Sequence, residues 1–291
     1  MATAPSVSRI ADSLWRAAAY CLHPVVILLS FMPVIIMGAA AWFLARFYWE
    51  DALDAVMAWE IIKQINSLLA GIGLGKLHTL VGQLVVVMLA TPVIVVGSLL
   101  LVTAMMAPWM VKLVAKRRFP ALEKLRGGTI IGSVFHALWV TLVAAVVMVF
   151  SMPLWLIPPL ILILPPVIWG WLTYRVMSYD VLADHATRQE RREIVRAHRW
   201  TLLGMGVLSG YVSMLPSMVW GIGAALIYAP FVIVAAIWIY TLVFAFTGLW
   251  FGHYLLSALA DLREFRAREA KAQQEALPPA LDVPIEVLPS P

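Results

Sequence analysis

Residues 127–174 contain no Asp, Glu, Lys or Arg, and neither do residues 200–260. Between them lies a short island, 175–200, with ten charged side chains, six of them arginine. Uncharged runs of that length belong in lipid, where about 20 apolar residues make one helical crossing. Each run is long enough for two arms, and both of its ends meet basic loops. A single helix cannot start and finish on one side, so each run is predicted to be a hairpin. The island then sits at the membrane surface.

Composition supports this class. The 291 residues are 63% hydrophobic and only 13% charged, with a mean hydropathy of +0.90. A soluble domain carries about 25% charged residues. A β-barrel would show alternating segments of about 10 residues, whereas the apolar runs here are continuous. The expectation is an all-α integral membrane protein. The net charge of +5 fits Lys and Arg kept in cytoplasmic loops, so no nucleic-acid partner is expected. Cys21 is the only cysteine, which excludes an intrachain disulfide.

Taken in order, residues 1–24 form a mildly amphipathic lead-in, read equally well as solvated or interfacial. Arg9 and Arg16 precede an apolar run that begins at Val25 and exceeds the usual 7–15 residues, roughly, of a signal peptide. It is read as a retained first span, kinked at Pro33. Residues 50–83 are a polar excursion with acids at Glu50, Asp51, Asp54 and Glu60, suited to the periplasmic side. Gly71, Gly73, Gly75 and Lys76 do not meet phosphate-loop spacing and are read as a flexible turn. A second long span covers 84–111, with Pro92 and Pro108 bending or ending it. The loop that follows holds Lys112, Lys116, Arg117, Arg118, Lys124 and Arg126 against Glu123 alone, which marks it as cytoplasmic. Both termini are expected on that side.

The first hairpin turns around Pro153, Pro158 and Pro159, and Pro165-Pro166 are expected to break its returning arm. The second is flagged by Pro216, Gly221, Gly223 and Pro230. Neither turn is charged, so the hairpins either span and barely emerge or turn within the membrane. Turns at depth must be buried in protein or line a wet path. In domain terms, 1–24 is a lead-in, 25–260 one helical membrane domain, and 261–291 a charged helix end with a disordered Pro-rich tail.

No metal site, nucleophile constellation or catalytic residue is predicted, and no cofactor: the six histidines are scattered, and the spans hold no acid or lysine. That inventory disfavours both an enzyme and proton coupling, which places titratable side chains at depth. Arg192, Arg196 and Arg199 stand at i, i+4 and i+7 and would share a helix face. Guanidinium groups hold oxyanions in bidentate fashion, so this face is the candidate anion-binding site. The other reading is a solvated face that binds lipid headgroups. The hairpin-turn residues Pro153, Pro158, Pro159, Pro216, Gly221 and Gly223 are the candidate pore lining. Two functions stay open: a permease or channel passively conducting a small solute, or a non-transporting scaffold that binds lipid or protein through its basic loops. The scaffold reading predicts that small-residue faces such as Gly248 and Gly252 pack helices.

The sequence resembles the CysZ-like sulfate permease family, which includes the eukaryotic etoposide-induced membrane proteins. The resemblance lies in Arg192-Glu193-Ile194-Val195-Arg196-Ala197-His198-Arg199, followed by Gly206 and Met214-Leu215-Pro216. Tyr179-Asp180 before the island, and the spacing of Pro24 and Pro33, are similar too. It covers about residues 15–258. It implies two long transmembrane helices plus two partly penetrating hairpins, a homo-oligomer in the inner (plasma) membrane, and passive conduction of sulfate or a related oxyanion. One departure is plain. The family's Gly-Leu/Ile-Arg anion motif follows the proline matched by Pro24, whereas this chain has Val25, Val26, Ile27 and Leu28. A Pro-Gly-x-Gly-like turn is also absent from the first hairpin, where Ile157-Pro158-Pro159 stands.

Overall fold

The computed structural model describes residues 7–74, 77–125, 128–221 and 229–276, and these are helices joined by short turns, with no strand among them. Five stretches are long and apolar enough to cross a membrane: Pro24–Phe47, His78–Ser98, Gly132–Leu156, Pro158–Ala183 and Val234–Glu275. The protein is an all-helical, multi-pass integral membrane protein.

The first helices follow their prolines. Helix α1 (Val7–Cys21) ends just before α2 (Pro24–Ser30), where His23 caps the new helix by accepting from the Val25 amide. A break at Phe31 separates α2 from α3 (Met32–Phe47), so the bend expected at Pro33 falls two residues earlier. Proline tolerates the first turn of a helix because its missing N–H has no partner there anyway. The polar excursion then folds into two short helices, α4 (Trp49–Met57) and α5 (Glu60–Gly71). Val56 and Ile62 of this pair bury against Val86 of α6 (His78–Arg118). Gly73 takes φ +80° in the turn between α5 and α6, a conformation open to glycine. Gly75 and Lys76 of that turn lie outside the described residues.

Helix α6 has 41 residues and passes through both Pro92 and Pro108. At 1.5 Å per residue it runs about 62 Å, twice a hydrocarbon core of about 30 Å. The first hairpin pairs α7 (Ile130–Ser151) with α8 (Pro158–Ala183), joined by a 3₁₀ turn over Met152–Leu156. Its ends close together: the Gly128 amide donates to the Ala183 carbonyl at 2.9 Å. The expected break at Pro165-Pro166 does not occur, and α8 is one helix. Pro166 cannot donate to the carbonyl of Leu162, four residues earlier. Tyr211, from a neighbouring helix, supplies the missing donor, its hydroxyl 2.9 Å from that oxygen.

The island contains α9 (Arg188–Ala197), and α10 (Arg199–Gly221) follows after a break at His198. Of the residues that flagged the second turn, Pro216 and Gly221 fall within α10. Gly223 lies outside the described residues. Pro230 sits in the first turn of α11 (Ala229–Ala276), which continues without interruption into the charged end. The tail from 277 onward lies outside the described residues.

Helix α11 is the central mast, with 48 residues and contacts to α1, α6, α8 and α10. In its most apolar window 39% of residues are buried, against 11% for α6. Gly248 and Gly252 face Met110 and Val114 of α6, which lets the two backbones approach. Trp250, Phe251, Tyr254 and Leu255 are fully buried with Met106, Leu182, Leu202 and Ala17. The core is therefore gathered toward the basic end of the bundle. The lead-in docks there as well. Trp250 Nε1 donates to Ser13 Oγ (3.1 Å), Arg118 reaches Asp12 (2.8 Å), and Arg9 pairs with Asp261 (2.6 Å). Cys21 is half-buried beside this core, and burial pushes its thiol up to about 11.

Candidate functional site

The basic ends of α7, α8, α9 and α10 enclose a cavity of about 540 Å³. Its lining includes Arg175, Arg191, Arg192, Arg196 and Arg199, with no carboxylate. A volume of this order is typical of ligand pockets, roughly 300–1,000 Å³. Among the described residues, none of the five arginines forms a salt bridge.

The sequence of α9 explains that segregation. Thr187 and Glu190 start the helix with a reciprocal capping box: Glu190 accepts from the Thr187 amide and Thr187 Oγ1 from the Glu190 amide. This fixes the helix's rotation. Glu190 and Glu193 then point toward α11, where Arg263 Nε meets Glu190 at 2.9 Å and Arg266 pairs with Glu193. Burial would raise the Glu190 carboxyl, but the hydrogen bonds from Arg263 and Thr187 outweigh it and hold it below its ordinary value. With both acids committed to α11, the only charged groups that α9 offers to the cavity are arginines.

Arg192, Arg196 and Arg199 do converge on one cavity, though not along one helix. The chain breaks at His198, and Arg199 opens α10. His198 is buried at this corner and its Nδ1 lies 2.9 Å from the Tyr254 hydroxyl of α11. Burial, followed by the nearby Arg9 charge, lowers its pKa. The break thus turns Arg199 into the same opening as Arg192 and Arg196. All three are exposed and form the rim.

The inner part of the cavity uses residues that the sequence pattern did not single out as ligands. Arg191 lies over the Tyr179 ring, 4.1 Å from its centroid, and the His136 ring stacks on Tyr179 at 4.6 Å. Arg175 lies over Trp171 at 5.8 Å. Ser178, one turn beyond Arg175 on α8, is 2% exposed. Its hydroxyl, Arg175 Nε and Arg191 Nη1 are buried without hydrogen-bond partners. The signal available in sequence was the i, i+3 spacing of Arg175 and Ser178, which puts both on one face of α8.

Two glycines hold this arrangement. Gly170 of α8 and Gly206 of α10 cross so closely that a Cβ on Gly206 would lie within 2.2 Å of the Gly170 carbonyl oxygen. The crossing sets the distance between Arg175 on one helix and Arg199 on the other.

The proposed pore-lining residues are elsewhere. Pro153, Pro158 and Pro159 are exposed at the far turn of the first hairpin and do not line the arginine cavity. Along α7, from His136 in the cavity lining to Ser151 at the turn, the two are about 22 Å apart. Pro216 and Gly221 lie in the last turns of α10, also away from the cavity.

Comparison with known proteins agrees with the resemblance. The family model described as Sulfate transporter CysZ/Etoposide-induced protein 2.4 matches residues 13–222. No curated protein and no solved structure matches the chain. The matched stretch runs from α1 to α10, well over half of the chain, and contains every residue of the arginine cavity. With a transporter-type family model covering the cavity and both arms that build it, the chain belongs to the sulfate transporter CysZ/etoposide-induced protein 2.4 family.

Proposed function

We propose that the protein is a passive permease for a small oxyanion, with sulfate as its leading solute, working as a homo-oligomer in the inner (plasma) membrane. The observation that carries this reading is the cavity lined by five arginines and no carboxylate. Concentrated positive charge raises the local anion concentration and speeds capture. Arg192, Arg196 and Arg199, exposed at the cytoplasmic rim, attract the anion first. Guanidinium forks match the geometry of a tetrahedral oxyanion.

Conduction without proton coupling follows from what the apolar segments contain. Residues 127–174 and 200–260 have no Asp, Glu, Lys or Arg, and coupled pumps place such groups at depth. The hairpin turns at Pro153, Pro158, Pro159 and at Pro216, Gly221, Gly223 would line the path. Pro153, Pro158 and Pro159 are exposed in one protomer. Side-by-side protomers bring such exposed turns together around a common route, which is why the reading includes an oligomer.

The experiment is uptake of labelled sulfate into liposomes that contain the full-length protein. Uptake above empty liposomes is expected, with an about 10-fold fall in the R192A/R196A/R199A variant, as expected for loss of charge steering. Uptake equal to that of empty liposomes would overturn the reading and favour a scaffold that binds lipid or protein.

A further inference from the structure

The cavity contains two kinds of arginine. Arg192, Arg196 and Arg199 are exposed, and water solvates their charge. Arg175 and Arg191 are half-buried, and each has a guanidinium nitrogen sealed from solvent with no hydrogen-bond partner. Beside them, the Ser178 hydroxyl is equally sealed and partnerless. A buried donor without a partner is destabilising, more so when charged, and native interiors rarely tolerate one. Here three such donors are gathered at one cavity by two elements, α8 and α9.

The surrounding acids do not answer them. Glu190 and Glu193 are held by Arg263 and Arg266. Asp180 lies beside Ser133 of α7 and is not among the residues that line the cavity. The wall beside Arg191 is bare backbone: a Cβ on Gly128 would come within 3.3 Å of Arg191 Nη1. A protein counter-charge has no room there.

We infer that Arg175, Ser178 and Arg191 form a second, inner site that retains one tetrahedral oxyanion, a phosphate or sulfate group, as a resident clamp between α8 and α9. The three side chains line the cavity, so a change of the Ser178 rotamer, or rotation of either guanidinium about its terminal torsions, turns donors toward the occupant. Two guanidinium groups and a hydroxyl supply more donors than one oxyanion needs. The site is distinct from the conducting rim. It rests on the anion preference of the cavity and does not require that the protein conduct. Exposed Phe135 and Trp200, next to His136 and Arg199 in the chain, stand near the cavity as interfacial aromatics do. The group could therefore arrive on a lipid headgroup as readily as from solution.

The test uses the full-length protein in non-ionic detergent, brought into chloride buffer at fixed ionic strength. Its Tm is then read with sodium sulfate, sodium phosphate or short-chain phosphatidic acid, with phosphatidylcholine as the control. At a hundredfold excess over Kd the expected rise is about 5 °C. The R192Q/R196Q/R199Q variant keeps that rise, while R175Q, R191Q and S178A lose most of it. S178A is the mildest change, so its Tm without added anion shows whether folding is intact. A rise with the inorganic ions assigns the site to a soluble oxyanion, and a rise with phosphatidic acid alone assigns it to a lipid phosphate. No rise with any of the three overturns the inference, as does a rise that the rim variant abolishes and S178A leaves whole. Labelled-sulfate uptake on the same preparations separates the two claims. Uptake without a Tm rise removes the inner site alone, and a Tm rise without uptake removes the permease alone.

Discussion

The two faces of α9 carry opposite charges and do different things. On one face, Glu190 and Glu193 meet Arg263 and Arg266 of α11. On the other, Arg191, Arg192 and Arg196 join Arg175 and Arg199 around a cavity without carboxylates. Paired arginines fasten the helix to the bundle, and unpaired ones are left free to meet an anion. The capping box at Thr187 decides which is which, because it fixes the rotation of the helix. What matters for function is therefore less the number of arginines than where the acids point.

Several substitutions can break this contrast. Gly206→Leu removes both halves at once, since a side chain there collides with the Gly170 backbone. Overpacking commonly costs about 1–3 kcal/mol and occasionally more, and a clash with backbone belongs at the top of that range. The check is loss of monodisperse protein and of the thermal transition. Glu190→Ala should cost about 3 kcal/mol, because it strips a nearly buried partner from Arg263. Neutralising Arg192, Arg196 and Arg199 together should change stability by less than about 1 kcal/mol, as expected of exposed charges. Thermal melts of the two variants side by side would reverse that order if the rim, rather than the paired face, held α9 in place.

Acid separates the faces without mutation. The folded-state pKa of Glu190 lies below the ordinary value of 4.5. Its contribution is thus complete above pH 4.5 and is lost as pH falls through the depressed value. The cavity face has no carboxylate to protonate. Stability should fall on acidification below 4.5, and Glu190→Gln should flatten that slope. An unchanged slope in the variant would show that other groups dominate. The smallest effect is expected for Arg266→Ala, whose pair with Glu193 is 40% exposed on each side. Such pairs contribute about 0–1 kcal/mol, so a larger loss would mean that the paired face is more than a fastening.

Much of this was legible in the sequence. The charge-free runs predicted the α7–α8 and α10–α11 hairpins, and the island held the arginines that line the cavity. What escaped the pattern were features set by distant residues. The i, i+4, i+7 spacing placed Arg199 on the same helix as Arg192, but Tyr254, more than fifty positions away, meets His198 at the corner where the helix breaks. Pro165-Pro166 read as a break because a lone helix cannot supply the donor that Tyr211 supplies from α10. Arg175 read as the edge of the island rather than a ligand, because its convergence with Arg191 depends on the Gly170–Gly206 crossing. The lead-in's docking on α11 rests on Ser13 and Trp250, which no local pattern connects.

The most direct measurement is the reversal potential of the protein in a planar bilayer under a sulfate gradient, with a common impermeant cation. The account predicts a conductance whose reversal potential follows the sulfate gradient and which falls in R192A/R196A/R199A while surviving in R266A. No conductance, or a reversal potential that ignores the sulfate gradient, would contradict it.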